Sequence, residues 1–152
     1  MNIEPRRIAS VLLLAGTIPF VAAAFVLLFG NHTGLGMFRP LASQAITTYA
    51  AVVVSFLGGI QWGIGIATYE QQPQTARSLF LLSVVPVLLA WAMLFLPASA
   101  SRMVVAIFLI CFVWIIDALL YLQKVIPLWF FRLRSLVSAV MIIALVIGLV
   151  AG

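Results

Sequence analysis

The chain has 152 residues, 66% of them hydrophobic and only 7% charged. Soluble domains carry about 25% charged residues, so a water-soluble globular fold is excluded; there is too little polar surface to cover such a core. The net charge of +5 is too thin and too scattered to form a nucleic-acid surface, and in a chain of this class Lys and Arg mainly report orientation across a bilayer.

A spanning helix needs about 20 apolar residues, and five runs qualify: residues 8–29, 44–68, 78–96, 103–122 and 136–151. Alternating strands of a β-barrel would be shorter. The first run follows Arg6 and Arg7 and resembles a signal peptide, with Ala22, Ala23 and Ala24 as small residues. It continues without a polar cleavage region to Phe29, so it reads as a retained helix. Pro19 lies within it and predicts a kink. The next break runs from Gly30 to Gly36 and contains Asn31-His32-Thr33, a glycosylation-type triplet read as chance.

The second span carries two small-residue faces. Ser55, Gly59, Gly63 and Ala67 recur every four residues, a stripe that allows close helix packing. A neighbouring face holds Gly58, Gln61 and Gly65. Gln61 in lipid needs hydrogen-bond partners, supplied either by another helix or by a ligand or water in a small pocket. Trp62 follows directly.

After Pro73 the third span brings Ser83 and Pro86. A faint similarity aligns residues 14–20, with Pro19, to residues 81–87, with Pro86; it would imply a parallel two-helix repeat plus one extra helix. Each proline reads either as a static kink or as the hinge of a moving transporter.

The fourth span follows Pro97 to Ser99 and holds Cys111, a lone apolar core cysteine that excludes an intrachain disulfide, and Asp117. Asp117 is the only acidic residue inside any long apolar run. A carboxylate at mid-membrane costs roughly 2.5–3.5 kcal/mol on insertion scales, so a partner, a cavity, a proton or a shallower depth must offset it. Trp114, Asp117, Tyr121 and Lys124 share one stripe. Asp117 lies about five residues from the end of its span, roughly 7–8 Å deep, and Gln61 roughly 10 Å from the same side. Ser83 enters from that side too, which predicts one polar level in the inner leaflet.

Residues 123–134 join the last two spans and mix Trp129, Phe130 and Phe131 with Lys124, Arg132 and Arg134. Such a segment suits the headgroup layer. Its arginines either anchor in anionic lipid or reach in to Asp117.

Arg6, Arg7, Arg77, Lys124, Arg132 and Arg134 lie on the side of the N-terminus, against Arg39 and Arg102 on the other. The positive-inside rule then predicts an all-α integral membrane protein, a single domain over 1–152, five helices, N-terminus cytoplasmic and C-terminus outside.

Residues 49–63, with Gly58-Gly59-Ile60 and Trp62-Gly63 as their most specific part, resemble the signature of an uncharacterised membrane family. That family includes mitochondrial transmembrane protein sixty-nine and many proteobacterial inner-membrane proteins. Ser83, Pro86, Trp91, Asp117, Pro127, Leu128, Trp129, Leu133 and Arg134 resemble its later motifs in the same order. The resemblance covers most of the chain and implies a five-helix domain of unknown function; the expected location is a bacterial inner membrane. Many members carry His where this chain has Gln61, which argues against a proton-transfer or metal role there.

Metal sites need several His, Cys or carboxylate ligands, and the single His32 and Cys111 do not supply them. No catalytic triad or phosphate-binding loop can be assembled, so neither an enzyme nor a resident metal or cofactor is expected. Three readings stay open. One is a non-catalytic assembly or accessory component with a membrane-protein partner. Another is a small homo-oligomeric carrier with a protonatable pocket of Gln61, Trp62, Ser83, Asp117 and Tyr121. The third is a lipid- or quinone-binding protein with Trp62, Trp91 and Trp114 lining an apolar slot.

Overall fold

The computed structural model describes residues 4–97 and 99–151; Ala98, in the expected break before the fourth span, lies outside them. Six α-helices form five membrane spans. The first span is split into α1 (Pro5–Ala15) and α2 (Ile18–Phe29). A short 3-10 turn, Gly36–Phe38, leads into α3 (Arg39–Thr68), followed by α4 (Pro73–Met93), α5 (Ser99–Leu122) and α6 (Leu128–Ala151).

Proline marks most of these boundaries, because its missing N–H costs nothing in a first helical turn. Pro5, Pro19, Pro40 and Pro73 all stand in first turns. Pro19 therefore opens a new helix rather than kinking a continuous one, while Pro86 lies buried inside α4. The two prolines do different work, so the aligned segments do not share a local structure as a repeat would require. At the α1–α2 break the Gly16 carbonyl is not orphaned: Tyr49 Oη donates to it at 3.0 Å. Thr17 Oγ1 donates to the Leu14 carbonyl at 2.7 Å.

The C-terminal end of α5 is closed by a Schellman turn. Val125 N–H reaches back to the Leu120 carbonyl at 2.9 Å and Lys124 N–H to that of Tyr121 at 3.0 Å. The residue in the left-handed position, at φ 60°, is Lys124, where glycine is usual. Lys124→Gly is expected to raise stability by about 1 kcal/mol through relief of that conformation, measurable as a higher midpoint in denaturant unfolding from detergent micelles; a lower midpoint would show a contact made by the lysine itself.

The helix of the fifth span, α6, begins at Leu128, not at 136 as hydropathy places it. The Pro127 carbonyl accepts from Phe130 and Phe131 N–H, and the aromatic segment expected in the headgroup layer is the first turns of α6. Phe131 there packs between Trp114 and Tyr121 of α5, with ring centroids 6.1 and 4.9 Å away. Packing of an aromatic face against α5 thus extends the helix beyond its purely apolar part.

The helix α3 packs against α2, α4 and α5, and α6 closes on α2 and α5. The main core, with Phe20, Leu27, Ile46, Val54, Ile110 and Leu145, lies toward the end where α2 and α6 finish. A smaller cluster of Leu79, Ile116, Leu120 and Ile126 lies at the opposite end.

Two cations secure the first of these ends. Arg39 donates to the Leu27 carbonyl at 2.6 Å and to the Ala151 carbonyl, the last turns of α2 and α6. Arg102 Nε donates to the Leu96 carbonyl at 2.7 Å. Last-turn carbonyls have no partner within their own helix; Arg39 supplies one to α2 and to α6, while Arg102 ties down the chain just beyond the end of α4.

Candidate functional site

On α5 the residues Val113, Ile116, Asp117 and Leu120 form the buried face. Helical spacing therefore carries Asp117 inward with its apolar neighbours. It is 1% exposed, and so is Arg134, while Gln61 is 0% exposed. From the helix ends, Asp117 lies roughly 7 Å deep, Arg134 roughly 9 Å and Gln61 roughly 10 Å, so the three meet at one level.

The Asp117 carboxylate is held from both sides. Its Oδ2 accepts from Arg134 Nε at 2.9 Å and Nη2 at 2.6 Å. Its Oδ1 accepts from Gln61 Nε2 at 3.4 Å, and the same amide group donates to the Val113 carbonyl at 3.3 Å. This is the only side-chain ion pair among the described residues. Among the described residues, two buried side-chain atoms stand without hydrogen-bond partners: Gln61 Oε1 and Arg134 Nη1. An unsatisfied buried polar group costs about 1–3 kcal/mol, so the cluster carries polar capacity beyond its internal bonds.

The remaining predicted residues are separated. Trp62 is 44% exposed and packs on Phe80 at 5.0 Å. Ser83 is buried, but its hydroxyl has only a long contact of 3.5 Å to the Phe80 carbonyl. With α4 beginning at Pro73, Ser83 also sits deeper than Asp117, not at its level. Tyr121 stacks on Phe131. Lys124 forms the Schellman turn, and Arg132 is exposed on α6. Of the two placements open to Arg134, lipid headgroup or Asp117, α6 gives the second and carries it inside the bundle.

The small-residue stripe is also corrected. Gly59, Gly63 and Ala67 are exposed, and a Cβ on either glycine meets nothing within 4 Å. The close helix contact inside the chain uses the neighbouring face. A Cβ on Gly58 would stand 2.8 Å from the Ser83 carbonyl oxygen, and one on Gly65 2.9 Å from the Phe80 ring. Nor do the three tryptophans line one slot. Trp91 pairs with Phe95, Trp62 with Phe80 and Trp114 with Phe131, each in a different part of the bundle.

Phe131, expected among headgroups, and Ser135, which the sequence did not single out, both pack on α5. Ser135 accepts from Trp114 Nε1 at 2.9 Å, and both residues flank Arg134 along the α5–α6 seam. Helical spacing within 128–136 was the signal that could have found them.

Fold and site together define a multi-pass helical membrane protein with an ion pair buried between two of its spans. Residues 5–150 match the family described as "Protein of unknown function (DUF3429)", and the chain belongs to that family. It is 36% identical over 139 residues to Transmembrane protein 69 of Xenopus tropicalis, a match covering 90% of this chain and 51% of that protein. The chain thus spans about half the length of that curated relative. No solved structure matches it.

Proposed function

We propose that the protein is a non-catalytic component of a bacterial inner membrane, N-terminus cytoplasmic, acting in the assembly or as an accessory part of a larger membrane complex. The observation that carries this reading is the Asp117–Arg134 pair. Both carboxylate oxygens accept bonds from inside the bundle, so the charge serves the fold rather than a reaction. The exposed face of Gly59, Gly63 and Ala67, open at both glycines, supports a helical partner from outside the chain, since small residues let membrane helices approach closely. Native mass spectrometry after mild detergent extraction tests this. A stable hetero-complex is expected, and a bare monomer would sink the proposal.

The carrier reading keeps one observation in its favour, the unpartnered Gln61 Oε1 and Arg134 Nη1. A transported polar group would bond there. Asp117→Asn separates the two readings. The component reading expects a destabilised protein, whereas a carrier would keep its fold and lose ligand retention.

A further inference from the structure

The chain's eight Lys and Arg residues divide by what they touch. Arg39, Arg102 and Arg134 are bonded to carbonyls or to Asp117. Arg6, Arg7, Arg77, Lys124 and Arg132 are all at the end where α1 and α6 begin, and no hydrogen bond or ion pair engages their head groups among the described residues. Two of them converge. Arg6 and Arg132 line one groove of about 420 Å³ between α1 and α6, with Ser10, Trp129, Leu133 and Leu136.

We infer that this groove binds the phosphate headgroup of an acidic glycerophospholipid, with Arg6 and Arg132 as its cationic walls. On α6, Trp129, Arg132, Leu133 and Leu136 follow the spacing i, i+3, i+4, i+7, so one helix face presents the cation and then apolar side chains deeper along the axis. Arg132 is four residues in from the start of α6, roughly 6 Å along it, the depth of a headgroup rather than of open water. Arg6 is held over the Trp129 ring, 5.3 Å from its centroid, a cation–π contact that orders the guanidinium.

Among the described residues, no acidic side chain lines the groove. Glu4, the nearest acidic residue in sequence, is exposed and forms no ion pair with either arginine. Guanidinium pairs favour phosphate oxygens by geometry as well as charge. The leucines below them match an acyl chain, which a free phosphate lacks. The groove shares no residue with the Asp117–Arg134 cluster, so its failure would leave the proposed role of the protein untouched.

The test is lipid retention by the full chain in native mass spectrometry, with dioleoyl phosphatidylglycerol and dioleoyl phosphatidylcholine supplied equally. The wild type is expected to retain the acidic lipid about tenfold or more over the neutral one, the scale set by one to two cations near an anionic headgroup. Arg6→Gln with Arg132→Gln is expected to abolish the preference, while Arg7→Gln with Arg77→Gln, which removes equal charge elsewhere, keeps it. Ser10→Glu leaves both arginines in place and is expected to abolish the preference by repulsion, which guards against a fold defect in the arginine variant. Equal retention of both lipids by the wild type, equal loss in the two double variants, or displacement by millimolar inorganic phosphate would overturn the proposal.

Discussion

Replacing Arg134 with methionine is expected to cost about 3–5 kcal/mol, because Asp117 is then buried without its countercharge. At 1% exposure the carboxylate cannot recover water without opening the α5–α6 seam. Gln61 holds only the other oxygen, at 3.4 Å. The loss is a large fraction of a typical folding free energy, so reduced yield and a lowered unfolding midpoint are both expected. Asp117→Leu alone is expected to cost a similar amount, by stranding the Arg134 guanidinium. The double variant Asp117→Leu with Arg134→Met should regain most of the loss, since apolar replacement of a buried pair is often neutral or stabilising. A double-mutant cycle in detergent unfolding reads this directly. Additive effects of the two single changes would show that the pair is not a structural unit.

Gly58 and Gly59 are expected to respond in opposite senses. Gly58→Leu places side-chain atoms where even a Cβ would stand 2.8 Å from the Ser83 carbonyl and from Val87. The Ser83 oxygen is backbone, so α3 and α4 must separate, an overpacking cost of about 1–3 kcal/mol. Gly59→Ala meets nothing within 4 Å and should gain up to about 1 kcal/mol from helix propensity. Unfolding midpoints in micelles measure both. If Gly59→Ala proved the costlier change, the assignment of the packed face would be wrong. If it left folding intact but dissolved a native complex, the exposed face would be the partner surface.

Both predictions concern features the sequence displayed without resolving. Two glycine faces lie side by side on α3, and composition alone favours the longer stripe through Ser55, Gly59, Gly63 and Ala67. The bundle uses the shorter one, because Gly58 and Gly65 face α4. Arg134 shows the same limit. Its neighbours Trp129, Phe130 and Phe131 have the composition of an interfacial segment. Their rings become part of a helix only because α5 offers Trp114 and Tyr121 as a surface. Arg39 and Arg102 read from sequence only as minority charges on the outer side; Arg39 instead caps carbonyls of α2 and α6, and Arg102 bonds the Leu96 carbonyl in the α4–α5 connection.

The sequence by itself determined that this chain lives in a membrane, how many times it crosses, and that Asp117 required an explanation. Those conclusions rest on transfer free energies, which sum over residues within one segment and need no knowledge of neighbours. Which partner answers Asp117 depends on the rotation of α5 and α6 about their axes and on their relative register. Only the tertiary structure sets those, because small differences in side-chain packing between helices decide them. The carboxylate is thereby matched to Arg134 inside the bundle, and the cations that make no hydrogen bond or ion pair among the described residues gather at the end where α6 begins.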